Sequence, residues 1–278
     1  MPFSSELGRV SGWSRRDSIR SAWMACAATV LADGCASHGG SPVSTARSAG
    51  SPSSNGVPPG RPSSAVSATP ASTVPGAGVA GAVALTFHGD GTPALATSLL
   101  SEAERAGAQV TVLAVGRWLG EYPQMARRVL DGGHELGNHT EHHIDIDALS
   151  PVAAFAEIED CAARLRRLTG SIGRWFRPSQ AQHATPAVRA AAARAGYPTV
   201  LSYDLDSLDY TDPGPDAVVR RVLTAVRAGD VVSMHLGHGG TVAALPAILD
   251  GLRARGLRAV TASALFPRSL SVPEVSRR

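Results

Sequence analysis

The sequence predicts an α/β fold: a distorted (β/α) barrel of about seven parallel strands, preceded by a disordered N-terminal region. Three observations lead there. From residue 81 onward, short apolar runs alternate with longer stretches of helical periodicity, the pattern of a mostly parallel sheet covered by helices. Six of the helical stretches close on glycine, at Gly107, Gly132, Gly170, Gly196, Gly229 and Gly256, a common helix stop. Before residue 81 this texture is absent. The same alternation would also suit an open doubly wound sheet.

In chain order, residues 1–35 read as an export segment. The run "SRRDSIR" carries paired arginines and precedes the short apolar stretch "SAWMACAATVLA", the layout of a twin-arginine signal. That stretch is too short to span a bilayer. "LADGC" resembles a lipoprotein processing box, with Leu31 four residues before Cys35 instead of three. A lipid on Cys35 is the one membrane attachment expected, and the protein is placed in the cell envelope or outside the cell. Residues 36–77 are dominated by Ser, Pro, Gly, Ala, Thr and Val, with no acid and no aromatic. Such a segment cannot bury enough surface to offset its ordering entropy, so it reads as a flexible linker. Residues 78–278 read as the catalytic domain.

Within that domain strands are expected near 82–87, 109–115, 134–137, 174–176, 198–203, 230–235 and 257–261. Helices are expected near 93–106, 121–131, 151–168, 186–195, 215–228 and 241–255. Composition narrows the function. Lysine is absent, so all 26 basic residues are arginine, which excludes a Schiff-base lysine and a P-loop lysine. The net charge is +3, and no basic stripe is interleaved with aromatics, so no nucleic-acid partner is expected. Of the three cysteines, Cys161 falls in a helical pattern and reads as a small buried hydrophobe.

Parallel α/β folds build their sites from the loops after the strands. Here those loops carry His88 and Asp90, then Asn138, His139, His142 and His143, then Arg177, then Asp206 and Asp209, then His235. His139 and His143 are spaced to meet one ion, and Asp90 can supply a third ligand, as in catalytic zinc sites that leave one position open. His142 is expected to be exposed and His134 to be structural. "GDGTPA" also fits G-x-G-x-x-A after a strand, but the second strand ends on Gly116 and Arg117, without the acid that holds a ribose.

These residues together resemble the polysaccharide deacetylase family, also called the NodB-homology or carbohydrate esterase 4 family, over about residues 78 to 267. "TFHGDG" stands where the family has T-F-D-D-G, and His139 to His143 keep its H-[ST]-x-x-H. "FRPSQ", "DSLDY" and "VVSMHLGH" follow in the family's order, with Tyr210 in place of a tryptophan. The resemblance implies a metal-dependent hydrolase that removes acetyl groups from an N- or O-acetylated polysaccharide. One divalent ion is implied, zinc first, with cobalt or manganese as alternatives. Its ligands would be Asp90, His139 and His143. His235 would be the general acid, supported by the charge of Asp209, and Arg177 would orient the base. Tyr210, Leu236 and Gln180 are the expected substrate contacts.

The family's first motif has two adjacent aspartates, a base and then a ligand; this chain has one. Counts from Phe87 and from Gly91 differ by one residue, so the loop must bulge; keeping Asp90 on the metal makes His88 the base. Making Asp90 the base is the alternative. A third outcome is a degenerate site that binds glycan with little or no turnover. Without a carboxylate beside it, Arg177 would be free to hold an acidic substrate group.

Overall fold

The computed structural model describes residues 72–74, 79 and 81–267. The export segment, Cys35 and all of the linker except Ser72–Val74 lie outside the described residues. Eight strands and eight α-helices follow in the order β1 (Ser72–Val74), β2 (Ala82–Gly89), α1 (Pro93–Arg105), β3 (Thr111–Ala114), α2 (Gly116–Glu121), α3 (Gln124–Asp131), β4 (Glu135–Asn138), α4 (Pro151–Thr169), α5 (Pro186–Arg194), β5 (Thr199–Leu201), β6 (Leu205–Asp206), α6 (Pro215–Ala225), β7 (Val231–His235), α7 (Gly239–Ala254), β8 (Arg258–Val260) and α8 (Ala262–Leu265). One-turn 3-10 helices occupy Ile146–Ala148 and Asp209–Thr211.

Local chemistry explains the helix starts. Thr92, Ser150 and Thr185 each accept a hydrogen bond from a backbone N–H of the first turn, and each is followed by proline. The capping oxygen satisfies an otherwise orphaned donor, and proline has no N–H to leave unpaired there. Gly170 closes α4 at φ 80°, a conformation glycine adopts without steric cost.

Every strand pairing is parallel. The main sheet runs β4-β3-β2-β7-β6, and β8 pairs with the start of β2. Single bridges from Asn138 to Phe176 and from Phe176 to Val200 carry the wall on from β4 to β5, whose other edge takes β1. β2 lies at the centre, and the apolar residues of its run are buried on both faces, as expected of a parallel strand covered by helices. The largest hydrophobic cluster joins Leu85 and Phe87 of β2 to Leu99 and Leu100 of α1 and to Leu245 and Ile248 of α7.

Four local differences from the sequence expectation have physical causes. The helix expected near 121–131 begins only at Gln124 because Pro123 interrupts it, and the preceding turn forms a separate α2 that buries Trp118. The strand expected near 174–176 is reduced to the bridges at Phe176. The strand expected near 198–203 is shortened to β5, Thr199–Leu201, with the carbonyls of Leu201 and Ser202 accepting from the Arg177 guanidinium, and β6 follows beyond the expected span. Ser72–Val74, inside the segment read as linker, adds a strand to β5, whose edge satisfies its backbone groups.

The bulge expected between Phe87 and Gly91 forms beyond the paired strand. β2 stays in register with β3 as far as Gly89–Ala114. The extra residue is taken up one step later, where Asp90 N–H donates to the His88 carbonyl at 3.2 Å. Gly91 then adopts φ 108°, and a Cβ there would lie 2.4 Å from Gly237 Cα. Trp118 Nε1 donates to the Gly91 carbonyl at 2.8 Å. Gly91→Ala should therefore cost at least about 1–3 kcal/mol, read as a shift in denaturant midpoint. An unchanged midpoint would show that the two loops do not need this close approach.

Candidate active site

The strand ends deliver their polar side chains to one cavity of about 660 Å³, lined among others by His88, Asp90, His143, Gln180, Tyr210 and His235. Three imidazoles gather there. One ring nitrogen each from His88, His139 and His143 lies within 4.8 Å of the others. The ring centroids are 4.1 Å apart for His88–His139 and 4.8 Å for His139–His143.

Different devices hold the three rings. His139 is fully buried, and its Nδ1 lies 3.0 Å from the Arg177 carbonyl. A carbonyl can only accept, so Nδ1 donates and Nε2 keeps its lone pair. That Nε2 is buried and has no hydrogen-bond partner among the described residues. His88 sits on β2 with Nε2 3.2 Å from Ser233 Oγ, and its buried Nδ1 is likewise unpartnered. His143 takes φ 57° and Thr140 φ 68°, so "HTEHH" is a tight left-handed loop and not a helical turn. Thr140 Oγ1 accepts from His143 N–H, Asn138 Oδ1 accepts from Thr140 N–H, and Gln180 Nε2 donates to the His143 carbonyl at 2.9 Å.

The electrostatics favour the neutral form of all three rings. Burial pushes His88 well below the ordinary imidazole value, and His139, His235, Arg177 and His143 add to the effect. Burial and His143 do the same to His139, against the opposing hydrogen bond to Arg177. Burial also lowers His143, with the charge of Asp90 working the other way.

Beside this cluster, His235 stands directly across from His88 in the β2–β7 register, with ring centroids 4.3 Å apart. Its Nδ1 meets Asp209 Oδ1 at 2.7 Å, and its backbone N–H donates to Asp209 Oδ2 at 2.8 Å. Thr241 Oγ1 donates to the same Oδ2 at 2.6 Å. Burial alone would raise the Asp209 carboxyl; the hydrogen bonds from His235 and Thr241, with the His235 charge, outweigh it and hold the group below the ordinary carboxylate value. Only the His235 Nε2 is left for a ligand.

Three expectations are corrected by these placements. Asp90 is not part of the ring-nitrogen cluster; its carboxylate is half exposed, accepts from Gly91 N–H at 2.9 Å and pairs with Arg117 at 3.0 Å. β2 runs straight through His88, so the imidazole takes the inward position and the single aspartate falls beyond the strand end. Arg177, expected to orient a carboxylate base, donates to no carboxylate among its hydrogen bonds to the described residues. Its guanidinium is fully buried and donates to the Leu201 carbonyl, Thr86 Oγ1 and the Ser202 carbonyl, and burial brings its pKa down to about 10. Leu236 does not reach the cavity. Its side chain is fully buried in the main core cluster, while its N–H donates to the His88 carbonyl.

Tyr210 and Gln180 line the cavity. His142 is exposed against Glu157, and His134 is buried, its Nδ1 accepting from Val110 N–H. Ser233 and Thr241 were missed from the sequence. Ser233 was legible, since it lies two residues before His235 and a strand alternates faces. Thr241 was not, because only the packing of α7 brings it to Asp209.

A family profile described as polysaccharide deacetylase matches residues 77–200. A peptidoglycan-N-acetylglucosamine deacetylase of Bacillus cereus is 32% identical over 188 residues, covering 66% of this chain and 87% of that protein. The chain belongs to the polysaccharide deacetylase family. A chitooligosaccharide deacetylase of Bradyrhizobium is 27% identical over 165 residues, 56% of this chain and 71% of its own. Among solved structures of this polysaccharide deacetylase family, a family 4 carbohydrate esterase from Streptomyces lividans in complex with acetate shares 27% identity at a TM-score of 0.60, covering 64% of this chain and 91% of that one. A family 4 pseudoenzyme from Bacillus anthracis, at 22% identity and a TM-score of 0.66, covers 71% of this chain and 69% of its own and shares the fold.

Proposed function

We propose that this member of the family is a metal-dependent deacetylase of an N-acetylated glycan such as peptidoglycan. The observation that carries the reading is the convergence of three imidazoles, two with orphaned buried nitrogens, beside the His235–Asp209 pair. That donor set fits a divalent ion. Nitrogen ligands in a site open on one side suit catalytic zinc, and cobalt or manganese are the alternatives. His88, His139 and His143 would hold it. When bound, such an ion supplies Lewis acidity, which polarises an acyl carbonyl and lowers the pKa of water towards about 7.

With His88 assigned to the ion, the proton acceptor is a carboxylate on the cavity wall. Asp90 fits best: its charge is felt at His143, and Gly91 N–H and Arg117 orient its two oxygens. Arg117 then does for Asp90 what Arg177 does for the base in the family pattern. His235 carries the second proton at Nε2 and delivers it to the departing amine, while Asp209 holds the ring by Nδ1 and stabilises its charge. Export through the N-terminal segment belongs to this reading and rests on the paired arginines and the apolar stretch alone.

A second reading is a glycan-binding protein with little or no turnover. It draws on one observation: the Arg177 side chain donates only to two carbonyls and a hydroxyl, with no carboxylate among those partners. Acetate release from N-acetylglucosamine oligomers and from peptidoglycan fragments decides between them, with the full chain supplied in turn with zinc, cobalt and manganese. The deacetylase reading expects release that stops on chelation. Glycan binding without release under any of the three metals would establish the second.

A further inference from the structure

His88 and Ser233 are diagonal neighbours on adjacent strands. The β2–β7 register sets Thr86 against Ser233 and His88 against His235, and because side chains alternate along a strand, all four share one face. Both backbones are tied. Leu236 N–H donates to the His88 carbonyl, and Ser207 N–H donates to the Ser233 carbonyl. Ser233 is buried, and its Oγ lies 3.2 Å from His88 Nε2. The nearby hydroxyl of Thr86 is already engaged, donating to the Val232 carbonyl at 2.6 Å and accepting from Arg177 at 2.8 Å.

A serine hydroxyl both donates and accepts, so this contact alone leaves the His88 tautomer open. The other ring nitrogen decides it. His88 Nδ1 is buried and has no hydrogen-bond partner among the described residues. A proton there would be a buried N–H with no acceptor, an arrangement folded proteins avoid. A lone pair there is an open coordination position. The proton therefore belongs on Nε2 and is donated to Ser233 Oγ, whose own hydroxyl proton can turn to the cavity that Ser233 lines. His139 is held the opposite way round: Nδ1 donates to the Arg177 carbonyl, and Nε2 is free. Two adjacent rings, with centroids 4.1 Å apart, thus offer opposite nitrogens.

We propose that Ser233 is a positioning residue for the metal centre: its hydroxyl fixes His88 as the Nε2–H tautomer and so presents Nδ1 as the ligand atom. This rests on the metal reading of the three-imidazole cluster. A group that holds a ligating histidine by its second nitrogen typically contributes about 10- to 100-fold in metal affinity. Such a partner is commonly a carboxylate or a backbone carbonyl; here a hydroxyl on the neighbouring strand takes that place.

Threonine and valine have nearly the same shape, and only threonine keeps the hydroxyl. Full-chain Ser233→Thr and Ser233→Val are therefore compared with wild type in two measurements. The first is long-range nitrogen–proton NMR of the metal-free protein with labelled histidine, the His88 signals being assigned by their loss in His88→Gln. Wild type and Ser233→Thr should show the Nε2–H tautomer, and Ser233→Val should lose that preference. The second is calorimetric titration with zinc, in which Ser233→Thr should stay within about threefold of wild type and Ser233→Val should weaken by about 10- to 100-fold. Melting midpoints without metal check folding, and Ser233→Ala replaces Ser233→Val if the latter unfolds. Zinc affinities that do not separate the threonine from the valine variant would overturn the role of Ser233, as would an Nδ1–H tautomer in wild type. Zinc held equally by wild type and Ser233→Val overturns that role and leaves the metal reading standing. A wild type that binds no zinc removes the metal reading and this role with it.

Discussion

His139→Ala is expected to strip the divalent ion from the protein and abolish measurable acetate release. The imidazole is fully buried, its tautomer is set by the Arg177 carbonyl, and its Nε2 has no other partner among the described residues. Loss of a group that merely supports a ligand typically costs 10- to 100-fold in metal affinity, so loss of a ligand should exceed about 100-fold. His88→Ala should do the same, and that separates two roles. A general base removed from an intact centre leaves metal stoichiometry unchanged and lowers turnover about 10² to 10⁴-fold. Metal analysis after dialysis reads the difference. Full occupancy in His88→Ala with slow turnover would return His88 to the role of base. Asp90→Ala should show that second pattern, keeping its metal and losing rate.

The same rings predict a pH dependence. Burial holds the folded values of His88, His139 and His143 below the ordinary imidazole value of about 6.5. Between the folded and unfolded values the unfolded chain binds more protons, so stability rises with pH through that window. The metal-free protein should therefore lose stability as pH falls below about 6.5, and His139→Ala should flatten part of that dependence. A parallel pair of curves would show that these rings do not remain neutral on folding.

Asp209→Asn should lower turnover about 10² to 10⁴-fold while leaving metal content intact. The carboxylate accepts from His235 Nδ1, His235 N–H and Thr241 Oγ1 at once. An amide cannot balance an imidazolium, and its NH₂ group would face donors. The substitution should also destabilise the fold, by about 1–3 kcal/mol for each buried donor left unmet. Because the folded pKa of Asp209 is depressed, its contribution is present above the unfolded value of about 3.9 and is lost as pH falls through the folded one. The stability gap between wild type and Asp209→Asn should thus narrow in acid, as measured by denaturant midpoints across pH. A gap independent of pH would mean that the carboxylate charge does not support the pair.

Much of this site was legible before the coordinates. Seven apolar runs separated by helical stretches marked the wall, and glycines and prolines marked the helix ends. The polar residues following each run located the catalytic mouth, because parallel strands bring their C-terminal ends together. His139, His143, Asp209 and His235 were all named from their place after strands. What failed was a count of residues. "TFHGDG" allowed two alignments with the family motif, and spacing alone could not say whether the extra residue bulged inside the strand or beyond it. Hydrogen-bond register decided that, since β2 remains paired with β3 through Gly89. Leu236 failed for a related reason: one step along β7 past His235 reverses the face, and the side chain enters the core.

The sequence by itself determined the class of fold, the end of the barrel that carries the chemistry and the residue types available there. These depend on periodicity and on strand direction, which are local properties. Only the tertiary structure decided which groups meet. It put His88 in place of Asp90 beside the two histidines, turned Arg177 from the expected partner of a carboxylate base into a buried tie between strands, and set Asp212 beside His238. Each of those outcomes depends on contacts between segments far apart in the chain, to within an ångström or two, and no pattern of neighbours along the chain carries that distance.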